Sequence, residues 1–394
     1  MNILIYTQWS SYLGYSIGGA ETSLRVLAEK LAQEGHSVTY LTEKKGGRLP
    51  RHESKTVKGV DVHFVTMPDL PSLGIGFLLN IRQKWINRYF DKICDQIIKE
   101  KKIDVVHTYH EIPGMLRFLK LKNRKGYSYK TVLRNGGKFW VKKLRENPEL
   151  SETYRYVFNS VDSVNFNTRG MEELFDEACK KFRVDVKLKD RFVHDIGLER
   201  KTIDQQWTLP KENQPFKMVM ASRFSAHQKR QRLLVEAVAK LPKEMEWELH
   251  LIGEGSKKEE IELFVKDEGM GEKVIFHPYL DQQKLWDLMC SSHLYVHACD
   301  FEGLSKIIIE AMGMGVPVLA SDVVPLRDYI KDGETGFLVE NRVELWADKI
   351  KEVAQKQDML TTVSLPAKQF VEDHFSADKN VKIYSQYFER IAAT

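Results

Sequence analysis

What most constrains the fold is an alternation that runs along almost the whole chain. A short apolar run ends in a polar or glycine tip, and a longer stretch with helical spacing follows. NILIYT (2–7) reads as a strand. ETSLRVLAEKLAQEGH (21–36) places Leu24, Leu27, Ala28 and Leu31 on one helical face and stops at Gly35, and SVTYLT (37–42) returns as a strand. Strand–helix–strand is the unit of a parallel sheet. Further strands are expected at 60–67, 103–109, 130–135 and 160–168, with helices at 74–101 and 169–180. The stretch 199–215 has no strong period and reads as a linker. A second series starts at once with FKMVMAS (216–222). Strands at 247–253, 273–279, 293–298, 317–321 and 336–340 alternate with helices at 229–241, 257–268, 282–291, 304–314 and 325–331, and the remainder is helical. The expected class is α/β, with two doubly wound parallel sheets. Such sheets bind ligands beyond their strand C-termini, and two adjacent domains make a cleft.

The 394 residues exceed what one core usually holds, which agrees with two domains. The four cysteines, at 94, 179, 290 and 299, form no CxxC pair, so neither a disulfide scaffold nor a structural zinc site is expected. The start, MNILIYTQWS, lacks the charged and apolar regions of a signal peptide, and no apolar run reaches the ~20 residues of a membrane span. A cytoplasmic enzyme is expected, in peripheral contact with the inner face of the membrane if anything. Charge is uneven: residues 1–200 carry a balance of +11 and residues 201–394 a balance of −6. Arg117 to Arg145 holds 11 Lys/Arg and no acid, interleaved with Leu, Phe, Tyr and Trp. Such a stretch suits an anionic surface or a solvated basic face. No nucleic-acid motif accompanies it.

Candidate site residues cluster at expected strand ends. Gly18 and Gly19 precede the first helix, where backbone N–H groups and the helix dipole can meet an anion. Arg223 follows strand 216–222, and Lys229 lies six residues on; two cations there can clamp a diphosphate. Gly253-Glu254-Gly255 ends another strand, with glycines that permit a ligand close to the backbone. Glu302 lies in the loop after strand 293–298, beside Gly303 and Leu304. Glu310 lies on the next helix among Ile307, Ile308, Ile309, Ala311 and Met312, where a carboxylate needs a ligand or a fixed partner. His110-Glu111 follows strand 103–109, and a histidine there suits holding or deprotonating a hydroxyl.

Together these residues resemble the retaining glycosyltransferases of family 4. The Glu-x7-Glu motif is Glu302 and Glu310 within FEGLSKIIIEAMGMGVPVLASD, and the N-terminal glycine loop is Gly18-Gly19-Ala20-Glu21. The Arg…Lys pair is Arg223 and Lys229, with Arg230 as a rival for the second place, because SRFSAHQKR has one extra residue and no glycine after the lysine. His110-Glu111 stands where the family often has His-Glu-Pro, and here Ile112 precedes Pro113.

The resemblance implies a GT-B fold: Rossmann-like domains facing across a cleft, an acceptor domain over 1–200, a donor domain over 214–374, and a last helix, about 375–394, returning to the first domain. It implies transfer of a sugar from a nucleotide-diphospho-sugar, a UDP-sugar first, to a glycan or lipid-linked acceptor in cell-surface polysaccharide, lipopolysaccharide or capsule assembly. The alternative is a synthase or phosphorylase acting on a soluble sugar, sugar phosphate or glucan. Arg223 and Lys229 would neutralise the diphosphate, Glu310 bind the ribose, Glu302 the transferred sugar, and His110 the reacting centre. Gly18, Gly19, Gly253, Glu254, Gly303 and Leu304 would line the donor site, with no metal and no cofactor beyond the donor.

Overall fold

The computed structural model describes residues 1–14, 19–68, 76–109, 112–211, 213–225 and 228–394. The chain forms two compact units, Met1–Ile196 with Ala377–Thr394, and Gly197–Ser376.

The first unit runs β1 (Asn2–Thr7), α1 (Gly19–Gln33), β2 (Ser37–Lys45), β3 (Arg51–Val57), β4 (Val60–Met67), α2 (Gly76–Lys101), β5 (Val105–Tyr109), α3 (Ile112–Lys125) and β6 (Lys130–Asn135). It continues with α4 (Phe139–Glu146), α5 (Ser151–Ser160), β7 (Ser163–Phe166), α6 (Arg169–Lys181) and β8 (Arg191–Val193). The sheet order is β3-β4-β2-β1-β5-β6-β7-β8. All pairs are parallel except β3 with β4. Lys58 and Gly59 both have positive φ, which closes that hairpin in two residues. The apolar face of α1 (Leu24, Leu27, Ala28, Leu31) is fully buried.

The second unit holds α7 (Arg200–Ile203), β9 (Phe216–Ala221), α8 (Gln231–Val238), β10 (Trp247–Ile252), α9 (Lys258–Asp267), β11 (Val274–His277) and α10 (Gln282–Cys290). β12 (Leu294–His297), α11 (Lys306–Met314), β13 (Val318–Ser321), α12 (Val324–Arg327), β14 (Phe337–Val339), α13 (Val343–Gln355) and α14 (Asp358–His374) complete it. Its sheet, β11-β10-β9-β12-β13-β14, is wholly parallel, with apolar clusters on both faces. α15 (Ala377–Ala393) then belongs to the first unit, where Val381, Tyr384, Phe388 and Ile391 join the α1 side of the core.

Two sequence expectations change. The stretch 199–215 is not a free linker but part of the second unit. The Trp207 indole N–H donates to the Ser292 carbonyl at 2.7 Å, and its backbone N–H donates to the Met314 carbonyl at 2.9 Å. The basic stretch 117–145 is not one surface. Phe118, Leu119, Leu121, Leu133, Trp140 and Leu144 are core residues. The stretch's exposed cations divide between the end of α3 (Lys120, Arg124, Lys125) and α4 with its N-cap (Lys138, Lys142, Lys143, Arg145). The whole length of β6 separates these two elements, so they flank opposite ends of the strand.

Among the described residues, no helix is long and apolar enough to cross a membrane.

Candidate active site

In the second sheet β9 has β10 on one side and β12 on the other, so the chain order reverses there. Ligands of such sheets collect at this switch point, outside the strand C-termini. The loops after β9 and β12 run side by side. Lys229 and Cys299 form an antiparallel bridge, the Arg230 N–H donates to the Ala298 carbonyl, and the Asp300 N–H donates to the Gln228 carbonyl. The Gln228 amide donates to the Phe301 carbonyl at 3.0 Å. Ser321 and Asn341 hold the Cys299 N–H and carbonyl, each at 2.8 Å.

This pairing brings Lys229 to Glu302. The Lys229 ammonium donates to Glu302 Oε2, and it lies 2.8 Å from His297 Nε2. The Tyr295 hydroxyl donates to the Ala221 carbonyl at 3.2 Å, so its oxygen accepts from His297 Nδ1, also at 3.2 Å. That assigns the Nδ1–H tautomer and leaves Nε2 as an acceptor for Lys229. His297 is fully buried, and burial followed by the Lys229 charge pushes it down to about 4. Burial opposes ionisation of Glu302, but the Lys229 charge beside it overcomes this and the carboxyl is held at about 2. At neutral pH the site is a carboxylate, an ammonium and a neutral imidazole.

Lys229, not Arg230, is the inward cation. Its side chain is 12% exposed, whereas that of Arg230 is 51% exposed and pairs with Asp300 at 2.7 Å. Arg223 is exposed at the open end of β9, with no ion-pair partner among the described residues. Glu310 accepts the Trp286 indole N–H at 3.0 Å and the Gln282 amide at 3.4 Å. Burial pushes its carboxyl up, against these donors. Gly303 is buried and Leu304 partly so.

Gly253 and Gly255 have φ of +136° and +151°. A Cβ on either would collide with the carbonyl oxygen of Ser222 or of Phe224 respectively. The close approach that these glycines permit is therefore that of the loop carrying Arg223, not of a ligand. Glu254 points to solvent, and its side chain pairs with Lys258 at 2.9 Å.

His110, Glu111 and Gly18 lie outside the described residues; Gly19 opens α1. His297, Cys299 and Glu302 hold ligand-type atoms within 4.8 Å of one another. A metal there would have to displace Lys229 from Glu302 and ionise a Cys299 thiol that burial pushes up to about 12.

The first unit carries polar residues at the C-terminal ends of β5 to β7 that the sequence reading passed over. A Cβ on Gly136 would lie 3.1 Å from Asn167 Nδ2 and 3.2 Å from the Tyr109 hydroxyl. Asn135 is 3% exposed, and its amide has no hydrogen-bond partner among the described residues. Behind them Arg134 pairs with Asp195, both buried.

Residues 201–369 match the family model described as glycosyl transferases group 1, and residues 17–186 match that of glycosyltransferase family 4. The chain belongs to the family 4 glycosyltransferases. This glycosyltransferase is 22% identical over 378 residues to N-acetyl-alpha-D-glucosaminyl L-malate synthase of Bacillus anthracis, covering 95% of this chain and 94% of that one. It is 30% identical over 135 residues, 33% of this chain and 36% of the other, to a lipopolysaccharide 1,6-galactosyltransferase of Salmonella typhimurium. Its fold matches sucrose-phosphate synthase of Thermosynechococcus elongatus with a TM-score of 0.78 at 18% identity, covering 100% and 99% of the two chains. Anabaena Alr3699/HepE, solved in complex with UDP and glucose, matches at 0.73 and 15%, covering 99% and 100%. The architecture is thus GT-B.

Proposed function

We propose that this glycosyltransferase moves a sugar from a nucleotide-diphospho-sugar, a UDP-sugar first, to a hydroxyl of a glycan or lipid-linked acceptor in cell-surface polysaccharide, lipopolysaccharide or capsule assembly. The observation that carries the reading is the Lys229–Glu302–His297 group at the switch point, with the uncommitted Arg223 beside it.

Arg223 and Lys229 neutralise the diphosphate as it leaves, helped by the Gly18-Gly19 loop. Lys229 serves this without a metal ion, because it is a fixed charge already desolvated at the strand end. Glu302, held ionised, accepts from hydroxyls of the transferred sugar. Glu310 accepts from the ribose hydroxyls; a carboxylate has about four acceptor positions, and the two donors on α10 leave room. His110 contacts the sugar near the reacting carbon. The acceptor oxygen attacks on the face that the diphosphate leaves, and configuration is retained. Glu302 and Glu310 grip the donor rather than flank the scissile bond as a hydrolase pair would.

The membrane part of this reading rests on the basic, partly aromatic surfaces of the first unit and on a lipid-linked acceptor. Of the stretch 117–145, α4 is the part that starts at a strand C-terminal end, where the acceptor belongs. A second reading, an enzyme using a soluble sugar, sugar phosphate or glucan, draws on one observation: a relative matched over 95% of the chain is named N-acetyl-alpha-D-glucosaminyl L-malate synthase, a name that gives a small soluble acceptor.

The test is binding and slow hydrolysis across a panel of nucleotide sugars, with Arg223→Ala and Glu310→Ala alongside. One donor that binds and is slowly hydrolysed, with both signals lost in the variants, is the expected result. No binding to any donor contradicts the reading.

A further inference from the structure

α2 presents a stripe that its own fold leaves uncovered. Ile81, Lys84, Trp85, Arg88 and Lys92 recur at helical spacing and are all exposed, with Ile81 at 48% and Trp85 at 47%. They span about 17 Å of helix. Of the three acids on this helix, Asp95 falls on the same face three residues past Lys92, Asp91 borders that face, and Glu100 accepts from Gln96. Asp91 pairs with Arg117 of α3 at 2.6 Å, and Asp95 accepts from Lys99 and the Tyr127 hydroxyl. The stripe therefore mixes three cations with two large apolar side chains, and the two acids beside it are already paired within the unit.

The neighbourhood repeats the pattern. α2 follows β4, so its first turns lie at the strand C-terminal edge, as do Trp9 after β1 and the loop after β2. Trp9 is 43% exposed with Lys45 4.6 Å from its ring centre, and Leu49 is 62% exposed. Arg82 of α2 donates to the Arg48 carbonyl at 3.2 Å and ties that loop to the helix.

We infer that this edge of the first unit, centred on Ile81, Trp85, Lys84, Arg88 and Lys92, is a docking surface for a bilayer bearing anionic headgroups. A protein partner of similar size would normally need some carboxylates for charge matching. A bilayer needs only cations for its headgroups and tryptophan and aliphatic side chains for the interfacial layer. The surface lies on the α2 side, and the exposed cations at the end of α3 are not part of it. It deepens the lipid-linked acceptor reading above, because the strand ends that receive an acceptor would then face the leaflet that holds it.

The experiment is co-sedimentation of the full chain with phosphatidylcholine vesicles, with and without about 30 mol% phosphatidylglycerol, at low and high salt. Binding is expected to the anionic vesicles only, and to fall with salt. Ile81→Ser with Trp85→Ser should weaken it about tenfold. Lys84→Gln with Arg88→Gln and Lys92→Gln should weaken it and flatten the salt dependence. Lys120→Gln with Arg124→Gln and Lys125→Gln should leave it unchanged. Thermal melts and donor hydrolysis, read on the same samples, should stay at wild-type values, which separates this claim from the donor reading. Absence of binding to anionic vesicles overturns the inference, as do stripe variants that bind like wild type. So does a stripe variant that changes the oligomeric state of the protein alone, because the surface then belongs to another copy.

Discussion

Lys229 and Glu302, 73 residues apart in the chain, meet as an ion pair whose side chains are 12% and 15% exposed. Neither element alone places them. The pair exists because β9 and β12 are neighbours and their loops bridge at Lys229 and Cys299. A partly desolvated pair of this kind contributes little net stability, but removing one partner strands the other.

Lys229→Met should therefore destabilise the fold by about 3 kcal/mol, and Lys229→Met with Glu302→Gln should recover most of that loss. Donor binding should be lost in both. Urea unfolding and donor titration of the two variants separate the structural from the binding role. Recovery of donor binding in the double variant would contradict the assignment of Lys229 to the diphosphate.

His297 and Glu302 also predict an acid limb. His297 has its folded value depressed to about 4 from 6.5, so the unfolded state binds more protons between those values. Stability should fall as pH drops from about 6.5 towards 4, by roughly 3 kcal/mol from this residue. Glu302, depressed to about 2 from 4.5, adds a loss that begins below about 4.5 and continues to its folded value. Urea midpoints of wild type and His297→Gln at pH 7 and pH 5 should converge on the acid side. Parallel curves would rule out the buried neutral imidazole.

Gly253→Ala should cost on the order of 3 kcal/mol, because the Cβ meets the Ser222 carbonyl at a backbone angle that L-residues rarely adopt. Gly269→Ala has positive φ but open space, and should cost about 1 kcal/mol. Thermal melts of the two should rank in that order. The Gly253 variant should also weaken donor binding, since the displaced loop carries Arg223.

Ending the chain at Ser376 should leave the first unit insoluble or molten. It removes Val381, Tyr384, Phe388 and Ile391 from the core that α1 shares, and Asn380, whose amide donates to the Asp195 carbonyl at 2.9 Å. Near-UV circular dichroism of the truncated chain checks this; a native spectrum would contradict it.

The sequence shows the alternating helices and strands well, because the helical spacing of Leu24, Leu27, Ala28 and Leu31 and the apolar run FKMVMA can each be satisfied in few other ways. β3 escapes because RHESKTV lies exposed on an edge and has no apolar alternation. Its one signal is the Lys58-Gly59 turn. Arg223, Glu302 and Glu310 are visible as polar residues at strand ends or in apolar surroundings. His297 is not, since HLYVHA reads only as a buried strand, and its place beside Lys229 comes from the neighbouring loop. The choice between Lys229 and Arg230 is likewise tertiary: in extended backbone successive side chains point to opposite sides, and the bridge to Cys299 decides which one turns inward. Gly253 and Gly255 announce a close approach without saying of what.

The central claim is that the Lys229 and Arg223 cations at the β9 strand end receive a donor diphosphate. The most direct measurement is calorimetric titration of UDP and a set of UDP-, GDP- and ADP-sugars into wild type and Arg223→Ala. At least one nucleotide should bind the wild type, and the variant should bind it at least about tenfold more weakly at an unchanged melting temperature. Equal affinity in the two proteins, or no nucleotide bound by either, would contradict the account.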